Sequence, residues 1–319
     1  MPSPAFNLIK LARPAQWAKG VFVLIGPLYA LADPAKHPTI HWLNVACAFL
    51  AFGFASSGCY IINDLRDIEA DRQHPRKSKR PLASGSITPA TAIGFAFILF
   101  LLAAFAALAP AISFINPAAT SSLQSSIWTA LLVAAYIFNT LIYSIRIKHL
   151  VILDVLSLSL GFVIRVLGGC AAAGVEPSSW LLNCTFFVSM FLALGKRLGE
   201  LRSLGDAAAS VRGVLGIYTI DFLRMAVVVT AVACLVTYAG YVQSRAEQGT
   251  IHYAGWGFNL LWLTMLPATY ALLRTIVQME RGKYDDPTEL AYKDNAFRVA
   301  VLIFALITAA VMLATRAAR

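Results

Sequence analysis

Charge-free apolar stretches of about twenty residues recur along this chain, and that length is what an α-helix needs to cross a bilayer with its backbone polar groups satisfied internally. They run from His37 to Asn63, Pro81 to Tyr143, Pro177 to Gly195, Met225 to Ser244, Gln248 to Leu273 and Val299 to Thr315. The second is long enough to fold back once, and Pro110, Asn116, Pro117 and the Ser/Thr cluster up to Ser126 mark the turn. Two weaker segments complete the set: Gln16 to Leu31, with Lys19 inside and Pro27 to kink it, and Val151 to Gly174, with Asp154 and Arg165 inside. The expected fold class is therefore all-α, an integral membrane bundle of nine transmembrane helices.

Composition agrees. Of the 319 residues, 59% are hydrophobic and 13% charged, and the mean hydropathy is +0.70. Soluble domains carry about 25% charged residues, so a cytosolic enzyme, a disordered chain and a secreted disulfide scaffold are all excluded. Cys47, Cys59, Cys170, Cys184 and Cys234 sit in apolar stretches without a CxxC pair and read as core-filling thiols. The N-terminus does not resemble a removable signal peptide. Most of the 26 Lys and Arg residues fall on one set of alternate loops, whereas the other set keeps only Lys36, Arg245, Arg316 and Arg319. The positive-inside rule then puts the N-terminus and the loops following the even-numbered helices in the cytoplasm of a plasma (inner) membrane. The net charge of +10 is a property of that face and does not point to nucleic acid.

At the cytoplasmic end of the second span the chain reads Asn63-Asp64-Leu65-Arg66-Asp67-Ile68-Glu69-Ala70-Asp71-Arg72. On a helix Asn63, Asp67 and Asp71 stack one turn apart, with Asp64 leaning toward the same face. Hard oxygen donors so arranged suit Mg²⁺, which favours one or two carboxylates completed by substrate phosphates and water; Mn²⁺ is a possible substitute. The next loop, Arg76-Lys77-Ser78-Lys79-Arg80-Pro81, supplies cations. A dication held by acids beside such a loop forms a seat for a diphosphate.

These motifs resemble the UbiA-type intramembrane prenyltransferase superfamily, in which Asn-Asp-x-x-Asp-x-x-x-Asp ends the second helix of nine packed around a central cavity capped by cytoplasmic loops. The resemblance implies one such domain over 1–319. Members usually carry a second acidic motif after the sixth helix, but here that stretch is Leu194-Gly195-Lys196-Arg197-Leu198-Gly199-Glu200-Leu201. This departure is similar to the decaprenyl-phosphate phosphoribosyltransferase branch. So are Arg13-Pro14-Ala15-Gln16-Trp17-Ala18-Lys19, Tyr143 through Lys148-His149, Arg165 with Gly168-Gly169, Tyr218 with Arg224, and Asp286-Pro287-Thr288-Glu289-Leu290. The resemblance implies attack of a polyprenyl phosphate on the anomeric carbon of phosphoribosyl diphosphate, with pyrophosphate leaving. The product would be a polyprenyl-phosphoryl-5-phosphoribose for lipid-linked pentose donors, arabinose among them.

In that chemistry Asn63, Asp64, Asp67 and Asp71 are the expected metal ligands, with Asp67, Asp71, Asp154 and Lys196 at the reacting centre. Lys19, Lys79, Arg80, Tyr143, Lys148, Arg165, Arg197, Glu200 and Tyr218 are the expected substrate contacts. Asp154 and Arg165 lie about three helical turns apart on one face. As intramembrane charges they either pair with a neighbouring helix or face the cavity, Asp154 near its mouth and Arg165 deeper. His37, His41 and His252 read as surface residues, His74 and His149 as solvated loop residues. Gly26, Gly168 and Gly169 are expected to let helices approach closely. Membrane lipid is a further partner, self-association is left open, and nucleic acid is excluded. The rivals are an aromatic-acceptor prenyltransferase, which would need the second acidic cluster, and a transporter or lipid-phosphate binding protein, which would need a polar path to the outer face.

Overall fold

The computed structural model describes residues 4–31, 40–73, 77–112, 119–204, 213–247, 259–282 and 289–317. Its helices are α1 (Pro4–Ala12), α2 (Val21–Leu31), α3 (Trp42–Arg66), α4 (Ile68–Gln73), α5 (Pro89–Leu108), α6 (Ala119–Ile145), α7 (Leu153–Ala173), α8 (Ser179–Leu204), α9 (Ile220–Glu247), α10 (Met265–Glu280), α11 (Leu290–Lys293) and α12 (Asn295–Ala317). Among the described residues there is no strand. Seven helical stretches among the described residues are long and apolar enough to cross a membrane, running from Trp42–Arg66 to Leu260–Glu280. The expected first and ninth spans correspond to α2, a short helix preceded by the 3₁₀ segment Pro14–Gly20, and to α12.

Why these segments form spans is visible in α5. Thr88 caps it, accepting the Thr91 N–H at 3.2 Å, and Pro89 fills the first turn, where no amide partner is lost. Ala92, Ala96, Leu99, Ala103 and Ala106 are buried, whereas Ile93, Phe97, Leu101 and Phe105 are exposed at four-residue spacing. Small residues inside and bulky apolar ones outside is the pattern of a helix packed against protein on one face and hydrocarbon on the other.

The chain divides into two compact units. The first comprises the described residues up to Arg146 together with Gly161–Pro177. Its core joins Val23, Ala48, Phe52, Ala55, Ala103, Tyr136, Ile164 and Ala172, and a second cluster ties Leu11, Ile61, Leu82, Ile87 and Leu99. Close approach of α2 and α7 depends on glycine: a Cβ on Gly169 would lie 1.8 Å from the Val23 carbonyl oxygen. The second unit comprises Ile147–Leu160 and the described residues from Ser178 onward. Val155, Phe191, Leu194, Leu198, Val214, Tyr218, Leu223 and Met279 form its core. Asp294, 3% exposed, caps α12 through the Phe297 N–H and accepts from Arg274 and Gln278. The first turns of α7 belong to the second unit and the remainder to the first.

The glycine contact makes a direct prediction. Gly169→Ala forces the α2 backbone to shift and should destabilise the protein by about 1–3 kcal/mol, the usual range for overpacking. The check is a lower thermal unfolding midpoint in detergent; an unchanged midpoint would contradict the close approach.

Candidate active site

The acidic motif stands where α3 gives way to α4. Asp67 leaves the helical region (φ −96°, ψ 11°), yet its N–H donates to the Asn63 carbonyl at 3.1 Å and its carbonyl accepts the Asp71 N–H at 2.7 Å. The i→i+4 ladder therefore passes through the break, and Asn63, Asp67 and Asp71 keep the one-turn spacing expected of them. Their side chains do not form one stack. Asn63 Nδ2 donates to Asp67 Oδ2 at 3.0 Å. Asp64 and Asp71, 2% and 3% exposed, are instead linked by Arg80, whose Nη1 lies 3.1 Å from Asp64 Oδ1 and 2.6 Å from Asp71 Oδ2. Arg13 Nη2 reaches both oxygens of Asp64 at 2.6 Å. Arg72 pairs with exposed Glu69 and plays no part in this lattice.

Arg80 holds its place because the residues after it are anchored. Leu82 and Ile87 are buried against Leu11, Ile61 and Leu99. The turn closes through Ser84 N–H to the Arg80 carbonyl (2.9 Å) and Ile87 N–H to the Pro81 carbonyl (3.1 Å), with Gly85 at φ 75°. Arg13, at φ 51°, is one of two non-glycine residues with positive φ among those described, and its strained backbone precedes Pro14. Lys79 is exposed, its carbonyl accepting from Lys10 Nζ at 3.3 Å. Arg76 and the Asp286-Pro287-Thr288 stretch lie outside the described residues.

Lys19, on the 3₁₀ segment, donates to the Tyr60 hydroxyl at 3.4 Å. Arg13 lies over the Tyr60 ring, 5.2 Å from its centroid. Arg165 is 5% exposed, donating to the Tyr136 hydroxyl at 2.7 Å. Tyr143 is half-buried on α6. Tyr60 and Tyr136 were not singled out from sequence. Tyr60 could have been, since it stands one turn before Asp64 on the same helical face; Tyr136, an aromatic among apolar neighbours, offers no such signal.

In the second unit Asp154 is fully buried. It accepts Arg197 Nε at 2.8 Å and the Tyr218 hydroxyl at 2.8 Å, while Arg197 Nη1 reaches Glu200 at 2.8 Å. The Tyr218 hydroxyl accepts the N–H of Ile152, the other positive-φ residue (φ 68°), at 2.7 Å. Burial, reinforced by the facing Asp154 carboxylate, pushes the Tyr218 hydroxyl up to about 12, so it stays protonated and donating. Of the two roles open to Asp154, the structure takes the ion pair, which also ties up Arg197, Glu200 and Tyr218. Lys148 and Lys196 are half-buried beside this knot in sequence. Arg224 pairs with Glu280 and Asp221.

Among the described residues no group of three or more His, Cys, Asp or Glu could hold a metal unaided. The donor set still fits a hard dication: the Asn63 amide adjoins the Asp67 carboxylate, and a flip of that amide, whose Nδ2 now donates to Asp67 Oδ2, would turn its oxygen to the same side, with the remaining positions suited to phosphate oxygens and water.

A family model described as the UbiA prenyltransferase family matches residues 20–302. The chain belongs to the UbiA prenyltransferase family. It is 34% identical over 303 residues to the decaprenyl-phosphate phosphoribosyltransferase of Mycolicibacterium smegmatis, covering 93% of this chain and 89% of that one. It is 35% identical to the Corynebacterium glutamicum protein of the same name, covering 96% and 87%. In fold it is similar to a UbiA homolog from Archaeoglobus fulgidus solved with GPP and Mg²⁺, at TM-score 0.64, 14% identity and 98% coverage of both chains. UbiA family membership together with the apolar helices makes this a multi-pass membrane protein.

The ion-pair knot separates two kinds of residue by experiment. Asp154→Ala leaves the Arg197 guanidinium buried without its main partner and should cost about 3–5 kcal/mol, as breaking a buried pair does. Thermal unfolding in detergent should show a large drop in midpoint for Asp154→Ala and little change for the half-buried Asp67→Ala; similar midpoints would contradict this division.

Proposed function

We propose that this protein transfers a 5-phosphoribosyl group from phosphoribosyl diphosphate to a polyprenyl phosphate of decaprenyl type, releasing pyrophosphate. One observation carries the reading. The acidic motif Asn63–Asp71 at the end of the span α3 is wired to two guanidiniums, Arg13 and Arg80, whereas α8 presents Lys196 and an Arg197 already bound to Asp154. A single acidic seat serves one diphosphate, and a cationic α8 disfavours the second metal cluster that a lipid diphosphate donor calls for. The names of the relatives that resemble the chain along nearly its whole length support the same substrates.

The residues present account for the chemistry. A lipid phosphate is already an anionic nucleophile, so no general base is required. Asn63 and Asp67 would hold Mg²⁺, with Asp71 and Asp64 behind them; when bound, the metal supplies charge neutralisation on the departing pyrophosphate. Asp64 and Asp71 fix the guanidinium of Arg80, and Asp64 fixes that of Arg13, so the forks present donors to diphosphate oxygens without reorganising at the moment of reaction. Lys19 and Lys79, in the same unit, supply further positive charge for the phosphate-bearing substrates. The Lys/Arg bias supports a cytoplasmic location for this machinery at a bacterial inner membrane.

Purified protein given radiolabelled phosphoribosyl diphosphate and Mg²⁺ should yield a labelled lipid when polyprenyl phosphate is added, and none without it. Asp67→Ala should lower turnover by about 100-fold or more while the protein remains folded. Chelation should abolish transfer and Mg²⁺ restore it. Retained turnover in Asp67→Ala at saturating Mg²⁺, or prenylation of a hydroxybenzoate in place of lipid labelling, would overturn the reading.

A further inference from the structure

The first unit contains a second cationic site that differs from the acidic lattice in one respect: it has no carboxylate. Arg165 lies within a spanning helix, about 18 Å along α7 from its start. A buried guanidinium in such a place is costly unless it is matched by an anion. Among the described residues it makes one hydrogen bond, from Nη2 to the Tyr136 hydroxyl at 2.7 Å, and packs over the rings of Tyr136 (4.4 Å) and Phe162 (5.5 Å). No Asp or Glu among the described residues is within ion-pair distance of it, and its other N–H groups have no protein acceptor there.

Lys19 is in a similar position: its ammonium donates to the Tyr60 hydroxyl, and among the described residues it has no acidic partner. Tyr60 stands on the helix that also carries an aromatic neighbour of Tyr136. The Tyr60 hydroxyl lies 3.5 Å from Gln16 Oε1 and 3.4 Å from Lys19 Nζ. Phe52, about two turns before Tyr60 on α3, packs edge-on against Tyr136 at 5.6 Å, and Tyr136 holds Arg165. Asp64 is one turn further along α3, about 6 Å in rise, with its carboxylate engaged by Arg13 and Arg80.

Sites with and without carboxylates select different anions. Phosphate oxygens approach Asp64, Asp67 and Asp71 favourably only with a dication between them. Where no acid repels and no metal ligand stands, an ammonium and a guanidinium meet a phosphate directly. Two positive charges match a phosphate monoester, which carries about −1.5 to −2 at neutral pH. We propose that Lys19, Tyr60, Tyr136 and Arg165 form a metal-free seat for the phosphate head of the lipid substrate, adjoining the acidic seat that takes the diphosphate. This rests on the proposed function for the identity of the acceptor. The ribose 5-phosphate of the donor is also a monoester, but the depth of Arg165 in a spanning helix between aromatic rings assigns the seat to the lipid. A phosphate held without metal keeps its negative charge as nucleophile, and one helical turn separates Tyr60 of this seat from Asp64 of the acidic one.

The test measures binding of farnesyl phosphate and, separately, of phosphoribosyl diphosphate with Mg²⁺, to the purified full chain in detergent by calorimetry. Arg165→Gln should weaken farnesyl phosphate binding about 10- to 100-fold, as loss of charged hydrogen bonds does, and leave phosphoribosyl diphosphate within about twofold. Chelation should not alter farnesyl phosphate binding. Tyr136→Phe, which removes only the hydroxyl that holds the guanidinium, should weaken it about three- to tenfold. If Arg165→Gln does not fold, Tyr136→Phe and Lys19→Gln carry the test, and unchanged farnesyl phosphate affinity in both overturns the seat. Equal loss of both ligands, loss of phosphoribosyl diphosphate alone, or a metal requirement for farnesyl phosphate also overturns it, as does failure of the wild type to bind farnesyl phosphate. Binding through Arg165 without any label transfer to lipid leaves the seat standing and removes the phosphoribosyl transfer reading alone.

Discussion

Arg80 is the keystone of the acidic site. Two carboxylates, Asp64 and Asp71, are buried two turns apart where α3 passes into α4, and without the guanidinium between them they would repel in a medium that screens poorly. The demand for that guanidinium explains its surroundings: a loop pinned by Leu82 and Ile87, a turn closed by Gly85, and a second guanidinium from Arg13 that completes the charge balance around Asp64. Balanced in this way, the lattice holds two guanidiniums fixed on buried carboxylates.

The same principle separates the three intramembrane charge clusters. Asp154, Arg197, Glu200 and Tyr218 satisfy one another and so build structure. The Asp64–Asp71 lattice is balanced but shared, with half-buried Asn63 and Asp67 alongside. Among the described residues Arg165 and Lys19 have no acidic partner and are held by hydroxyls and ring faces. This difference in charge balance orders residues that sequence alone groups together as cations.

Much of the fold was legible because membrane spans are written in local composition, and α3, α5, α6, α7, α8 and α9 fall where apolar runs predict them. The ends were less legible: Lys19 and Pro27 weaken the first span, which becomes a 3₁₀ segment followed by the short helix α2. In the site, the spacing of Asn63, Asp67 and Asp71 and the presence of Arg80 were readable from i, i+4 periodicity and proximity in the chain. Pairings between distant positions were not, because nothing local marks Arg13 for Asp64 or Arg197 for Asp154. Asp154 pairs with Arg197, whereas among the described residues Arg165, on the same helix, has tyrosine and phenylalanine as partners.

Ile152 illustrates how such distant pairings reach back into local backbone. A β-branched residue is poorly suited to φ 68°, yet its amide is held by the Tyr218 hydroxyl just before α7 begins. That amide belongs to no helical ladder, yet it should resist exchange with deuterated solvent almost as a core helical amide does. The connection preceding α7 is therefore a stiff elbow, whose angle is set by a phenol from far along the chain.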